Sequence, residues 1–496
     1  MSRETVYTKD APAPPLNASQ AVVCNGMVHC SGNLALDEKT MQIIPGGIQA
    51  ETHRVLENLS TILKAAGSSL ASVVKLNIFI TSMVDFKAMN EVYNEIFSKF
   101  DQKPCRTCVP VLELAFGAKV EMDCVAVLDT PSAKFYTMPD IIVIGAGVSG
   151  LTSAYLLSKD PSNKIAVVAK HMPGDYDIEY ASPWAGANFM PMSSSPGSQY
   201  ERRTWPQLKR LAIDVPEAGI HLQKCRIYRR QKDMDKLRSS CGTTFNNVFA
   251  ENPWWRNLVD EYRDLSTSEM PSGMASGCEF GSVCINPALY LPWLVGQCRA
   301  NGVVFHRKVV THVSELRSVG PSGFNPHIIV NATGLSSAKL GGIEDKSCYP
   351  IRGQVVVVRN VAPAMICVSG TDDGDDEACY MMTRAVGGGT ILGGTMQNGN
   401  WESQPDPNTA SRIMKRAVSM SPELTDGQGP EHLDVIRHGV GLRPGRESGV
   451  RIEKEKVDGI WVVHNYGHAG WGYQGSYGCA EQVVALVNEI PPQAKL

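Results

Sequence analysis

The chain reads as a small α+β unit followed by an α/β unit of the dinucleotide-binding kind, and three observations carry this. The first 130 residues run through the order ββαβαββ. A polar stretch with two prolines at 129–139 then interrupts the periodic pattern. Directly after it an apolar strand runs into Gly145-x-Gly147-x-x-Gly150 and a helix. At 496 residues, and roughly 150 per domain, length alone allows about three units.

In the first unit, residues 20–28 and 29–35 are predicted as two strands joined by the turn Asn25-Gly26. Residues 47–66 are predicted as a helix, because Val55, Leu56, Leu59, Ile62 and Leu63 recur at helical spacing and Gly67 stops it. Residues 73–81 are rich in β-formers, 85–97 form a second amphipathic helix, and 106–112 and 120–128 supply two more strands. The unit spans 1–130 and the linker 131–139. Residues 140–144 then read as a buried parallel strand, 148–158 as a helix and 164–169 as a second strand at βαβ distance.

That context gives the glycines a chemical meaning. A tight strand-to-helix turn needs conformations that glycine reaches cheaply, and a pyrophosphate must approach main-chain N–H groups with no Cβ in the way. Gly145 is expected to make the turn, Gly147 the close approach and Gly150 the helix-on-strand packing. One element is missing: Ala169-Lys170-His171 stands where a carboxylate normally holds a ribose 2′-hydroxyl. A basic residue there suits the 2′-phosphate of NADP, so the glycines alone leave FAD and a nicotinamide cofactor both open. Asp175 is the substitute carboxylate offered by the next loop.

Composition narrows the function class. Hydrophobic residues at 43% and charged residues at 20% exclude wholesale disorder. Lys and Arg number 47 against 50 Asp and Glu, a net charge of −3 with no broad footprint for nucleic acid or an anionic membrane. The fourteen cysteines form no dense disulfide framework, the usage of a reducing compartment. No stretch approaches 18 apolar residues, and Ala494-Lys495-Leu496 is a close variant of the Ser-Lys-Leu address read by the peroxisomal import receptor. A peroxisomal matrix location is therefore expected. His464 and His468 stand at i, i+4, but Gly467 and the glycine-rich run after it predict a loop beside the cofactor, and no metal is assigned.

Four ordered motifs then choose the cofactor. Ser182-Pro-Trp-Ala-Gly-Ala-Asn188, Arg443-Pro-Gly-Arg446 and His464-Asn-Tyr-Gly-His-Ala-Gly-Trp-Gly472, following Gly145 to Gly150, closely resemble the D-amino-acid oxidase family of FAD enzymes over about 140–490. Asn331-Ala-Thr-Gly334 resembles the second dinucleotide-contacting turn of such flavoproteins. The resemblance implies FAD- and substrate-binding portions interleaved in sequence, with a D-amino acid and O2 as substrates. It implies that Arg446 and Tyr380 hold the substrate carboxylate and that the carbonyl of Gly470 receives the amine. The residues it implies for FAD are Gly145, Ala146, Gly147, Val148, Ser149, Gly150, Lys170, Ala185, Gly186, Ala187, Asn188, Thr333, Gly334, Arg446, Ala469, Gly470, Trp471, Gly472, Tyr473 and Gln474. Arg352 and Arg384 are candidates for an acidic side chain, the first reading equally as framework and the second as a solvated loop charge; Met396 is a candidate wall for a neutral one.

The first unit has its own likeness. Ala65-Ala-Gly67, Val73-Val-Lys75, Asp85-Phe86, Asn90-Glu-Val-Tyr93 and Arg106-Thr-Cys108 resemble the Rid family of enamine and imine deaminases. That resemblance implies a chorismate-mutase-like α+β fold, trimers, and sites lying between subunits. It implies Arg106 for the carboxylate of a 2-imino acid and Glu121, on the adjacent predicted strand, for the hydrolytic water. Together the two likenesses imply a fusion that oxidises a D-amino acid and hydrolyses the imino acid intermediate. The rival readings are a non-catalytic oligomerisation module at the N-terminus, and an oxidase of secondary or N-methylated amines.

Overall fold

The computed structural model describes residues 3–24, 26–128, 140–193, 199–239, 246–320 and 324–491. Asn25 of the predicted turn, the predicted linker at 131–139 and the tripeptide 494–496 lie outside the described residues. The chain divides into two compact units, Met1–Phe135 and Tyr136–Leu496.

The first unit is one mixed sheet backed by two helices. Its strands are β1 (Arg3–Val6), β2 (Ala21–Cys24), β3 (Met27–Leu34), β4 (Val73–Ile80), β5 (Cys105–Pro110) and β6 (Val120–Val127), and its helices α1 (Gly47–Ala65) and α2 (Phe86–Phe97). The apolar stripe of α1 does what its spacing predicts, burying Val55, Leu56, Leu59, Ile62 and Leu63 against Val28, Leu76, Ile78, Met122 and Cys124 of the sheet. Strand β1 is an addition to the sequence reading, pairing antiparallel with β2. The order is β1-β2-β3-β6-β4-β5, so β4 lies between β5 and β6 and leaves β5 on an edge. Arg106 and Glu121 are therefore not on adjacent strands. Cys105 is exposed, because it sits on that edge strand.

The second unit contains two sheets whose strands alternate along the chain. The first sheet is built on β7 (Asp140–Ile144), α3 (Val148–Leu157) and β8 (Lys164–Ala169), the predicted βαβ core. Its order is Val304–Arg307, β8, β7, Ile328–Asn331, Ile460–His464 and Lys454–Val457, with all neighbours parallel except the last pair. The five residues of β7 are all buried, as a strand covered on both faces requires. The second sheet takes its strands from Ile220–Arg230, Asp260–Asp264, Met274–Ile285 and the stretch between Cys348 and Arg446. The chain thus leaves the dinucleotide sheet after β8, returns for Val304–Arg307 and Ile328–Asn331, leaves again, and returns for Lys454–Val457 and Ile460–His464.

Arg446 ends the strand Val435–Arg446 and is a structural tie. Its Nε meets Asp345 Oδ2 at 2.8 Å and its Nη1 donates to the carbonyl of Gly449 at 3.2 Å, while Tyr466 Oη donates to the same Asp345 oxygen at 2.8 Å. Burial pushes the Asp345 carboxyl up, but hydrogen bonds from Ser347, Arg446 and Tyr466 outweigh it and hold the group well below its ordinary 3.8. A carboxyl depressed in the folded state stabilises above its unfolded pKa and loses that contribution as pH falls towards the folded value. Asp345→Asn is expected to lower unfolding free energy by about 2 kcal/mol at pH 7. In urea titrations the gap from the parent should narrow below about pH 4; a gap independent of pH would contradict this account.

Candidate active site

Two cavities of the second unit share a border formed by Val148, Ser149, Ala181, Ser182, Pro444 and His468. One runs along the glycine turn and takes in Gly145 to Ser149, Lys170, Thr333 and Gly334. The other lies between the two sheets and takes in Ala185 to Asn188, Tyr380, Arg443, Ala469, Gly470, Gly472, Tyr473 and Gln474. The first lies at the carboxyl ends of β7 and Ile328–Asn331, where open α/β sheets bind ligands.

The glycine turn fits a dinucleotide on steric grounds. Gly145 has φ +104°, and a Cβ there would lie 2.5 Å from the carbonyl oxygen of Ala332. A Cβ on Gly150 would lie 1.9 Å from the carbonyl oxygen of Gly145, so this glycine serves helix packing and does not line the cavity. On Gly147 a Cβ would press on Ser182 Oγ at 2.9 Å. Helix α3 starts at Val148, so its positive N-terminus opens on the cavity wall and suits a pyrophosphate. At the border, His468 is buried, its Nε2 has no hydrogen-bond partner, and burial pushes its pKa down to about 4. A neutral imidazole at the border of the two cavities, with one nitrogen lacking a hydrogen-bond partner, suits a bound polar ring system.

The residues beside Tyr380 and Arg443 show how room for a guanidinium and a phenol is made by absent side chains. Arg443 Nη2 lies 3.3 Å from Tyr380 Oη, and Nη1 donates to the carbonyl of Thr395 at 3.0 Å. A Cβ on Gly353 would lie 2.4 Å from that guanidinium, and one on Gly393 would lie 2.0 Å from the Tyr380 ring. Gly470 closes the group, its Cβ direction reaching Arg443 Cδ at 3.7 Å and Met192 Cε at 3.8 Å. Guanidinium, phenol and glycine backbone thus converge on one space.

Arg446, the expected anchor, is not in either cavity wall; it is held by Asp345. The physical reason is strand periodicity. Arg443 and Arg446 are three residues apart on one strand, so they leave it on opposite faces, and Arg443 shares the cavity face with Gly441. Trp471 is likewise absent from both walls, packing beside Tyr200 and against the edge of His468. Apart from Gly150, the remaining cofactor candidates line one cavity or the other.

Neither candidate for an acidic side chain reaches the cavity. Arg352 spends its guanidinium on the carbonyls of Glu402 and Gln404 and on the side chains of Gln397 and Gln354. Arg384 is buried rather than solvated; it donates to the carbonyls of Gly186 at 2.5 Å and Ala185 at 2.6 Å, and burial lowers its pKa to about 10. Met396 does line the cavity, joined by Met190, Met192 and Met382, which no sequence pattern singled out.

In the first unit, the guanidinium of Arg106 donates to Asn90 Oδ1 and lies 4.6 Å above the Tyr93 ring. Glu121 packs on Gly32, where a Cβ would lie 1.9 Å from its Oε1. Arg106 is in register with Leu76 and Cys124, and Glu121 with Phe79, three positions further along β4. Cross-strand partners share a face and an odd step changes it, so in one copy the two groups sit on opposite faces of the sheet. Burial, reinforced by Asp123, raises the Glu121 carboxyl.

Comparison with known proteins gives the families of the two units. Residues 140–486 match the family described as FAD dependent oxidoreductase, and residues 8–128 the one described as endoribonuclease L-PSP, the Rid domain. A D-amino-acid oxidase of Fusarium vanettenii is 58% identical over 356 residues, covering 72% of this chain and 98% of that one. A D-amino-acid oxidase of Schizosaccharomyces pombe is 35% identical, covering 70% of this chain and 95% of that one. A D-aspartate oxidase of Talaromyces thermophilus is 31% identical with the same coverage. Among solved structures, a putative endoribonuclease from Thermotoga maritima is 40% identical and covers 26% of this chain and 98% of that one, with a TM-score of 0.25. The chain belongs to the D-amino-acid oxidase family of FAD-dependent oxidoreductases and carries a Rid domain at its N-terminus.

Proposed function

We propose that this enzyme oxidises neutral D-amino acids in the cavity around Arg443 and hydrolyses the resulting 2-imino acid in its Rid domain. The observation that carries the oxidase half is the convergence of Arg443, Tyr380 and Gly470. A planar guanidinium holds a carboxylate through two parallel hydrogen bonds, and the Tyr380 hydroxyl at 3.3 Å supplies a third donor. With the carboxylate fixed there and the amine towards the Gly470 backbone, the Cα–H has a single direction. A bound FAD would supply the hydride acceptor for that carbon and the route by which O2 is reduced to hydrogen peroxide. The chain's own part is orientation and exclusion of water, and His468, neutral above about pH 4, adds no charge.

Side-chain preference follows from what surrounds the anchor. Among the described lining residues Arg443 is the single cation, and Met190, Met192, Met382, Met396, Cys367 and Val355 provide an apolar wall. An acidic side chain buried there has no partner, which costs several kcal/mol. Adaptable methionines suit unbranched apolar side chains.

For the Rid domain, water adds to the C=N carbon and ammonia leaves, with the 2-oxo acid as the other product. Arg106 offers the same carboxylate recognition as Arg443, and the raised carboxyl of Glu121 is suited to hold the water and carry its proton. Since the two groups point to opposite faces in one copy, the reading requires Arg106 and Glu121 from different copies. The edge strand β5 and the exposed Leu112 and Phe116 support self-association through this unit, as the trimer reading requires. Peroxide as a product also suits the peroxisomal address read at 494–496.

Three measurements test this. Arg443→Ala should raise KM for D-alanine about 10- to 100-fold, whereas Arg446→Ala should leave KM within about twofold and act on stability; the reverse pattern restores Arg446 as the anchor. D-methionine should give a kcat/KM at least about 100-fold above that of D-aspartate, and peroxide from sarcosine but from no D-amino acid would sink the oxidase reading. Arg106→Ala and Glu121→Ala should each slow ammonia release relative to peroxide formation with peroxide unchanged. If neither does, the Rid domain serves assembly alone.

A further inference from the structure

Strand β8 ends on Ala169 and is followed by Lys170, so the place from which a dinucleotide fold usually sends a carboxylate to the adenosine ribose holds a cation. Among the described residues lining the cavity at the glycine turn there is one carboxylate, and it is Glu179. Its position is imposed by its neighbour. The Tyr180 ring is buried, its hydroxyl donates to the carbonyl of Ala146 at 2.6 Å, and it stacks on His171 at 5.9 Å. Trp184 Nε1 fixes the other side of the segment by donating to the carbonyl of Asp177 at 2.9 Å. Tyr180 therefore clamps residues 177–182 onto the glycine turn itself, and Glu179 is carried to the cavity edge beside it.

Lys170 Nζ meets Glu179 Oε2 at 2.6 Å, with both side chains about half exposed. A carboxylate offers about four lone-pair sites, so one lysine contact leaves room for two hydroxyl donors. Asp175, the substitute the sequence suggested, is engaged elsewhere: Arg307 Nη1 reaches its Oδ2 at 2.5 Å, the Met172 N–H donates to it at 2.9 Å, and it is absent from the cavity wall.

We propose that Glu179 replaces the strand-end carboxylate and accepts hydrogen bonds from the adenosine ribose of FAD, with Lys170 as its positioning partner. The assignment rests on FAD as the cofactor and is independent of imine hydrolysis in the Rid domain. Its test reads binding, not turnover. The full-length apoprotein is titrated with FAD and with an FAD whose adenosine ribose lacks the 2′-hydroxyl, following flavin fluorescence. Glu179→Gln is expected to raise Kd for FAD about tenfold, and the parent to bind the deoxy analogue about tenfold more weakly than FAD. In Glu179→Gln that preference should fall to about twofold or less, while Asp175→Asn keeps the parent's preference. A Glu179→Gln protein that still prefers FAD about tenfold, or an Asp175→Asn protein that loses the preference, overturns the assignment. Glu179 is half exposed, so an unchanged thermal unfolding profile separates the loss of a ribose contact from a loss of fold.

Discussion

The active site depends on one steric constraint, the contact between the glycine turn and helix α3. The carbonyl oxygen of Gly145 occupies the place of a Cβ on Gly150, 1.9 Å from where that atom would stand. Any side chain at 150 must push α3 off β7, and the N-terminus of α3 is where the pyrophosphate is to be neutralised. The same turn is locked from the other side, since the carbonyl of Ala332 leaves Gly145 no room for a Cβ. That contact joins the turn to the segment after Ile328–Asn331, so the two halves of the interleaved chain meet at the cofactor cradle.

Removal of side chains also explains how two large polar groups face an apolar cavity. Buried arginines need carbonyls or carboxylates around them. Arg384 and Arg352 satisfy this by donating to backbone carbonyls and amide side chains, and so shape loops without presenting charge to the substrate. Arg443 is different, because Gly353 lets its guanidinium lie against bare backbone while the residue lines the cavity. On the proposed reading, placing one cation among the described lining residues, with Arg352, Arg384 and Arg446 engaged elsewhere, would make the anchor selective for the α-carboxylate.

Much of this was legible in the sequence, and the failures have physical causes. The glycine spacing after an apolar strand, the helical stripe of α1 and the order of the late motifs each report local geometry, which periodicity reads well. Choosing Arg446 over Arg443 was an error of face: a two-residue alternation along Val435–Arg446 would have set Arg443 with Gly441 and away from Arg446. Arg106 and Glu121 could not be placed the same way, because strand order β6-β4-β5 is a long-range property that no local pattern encodes. Glu179 lay in a loop whose course is decided by the Tyr180–Ala146 hydrogen bond, a contact between residues 34 positions apart. Met190, Met192 and Met382 were illegible for a simpler reason, since a methionine in a cavity wall and one in a core look alike in sequence.

On the proposed reading the two active sites differ in what they require of the molecule. The oxidase groups Arg443, Tyr380 and Gly470 converge within one copy of the second unit. The Rid groups stand on opposite faces of one sheet and complete a site only when another copy supplies the missing member. Oxidation would then survive dilution, whereas hydrolysis would fall with the concentration of the assembled form. An imine also hydrolyses in water, so a fused Rid domain matters when release outpaces that background reaction. Covalent linkage sets the two units at equal concentration and keeps the effective concentration of acceptor sites high wherever the chain assembles. The fusion is thus best understood as fixing stoichiometry and proximity, with assembly of the first unit as the step that turns an oxidase into a complete deaminating enzyme.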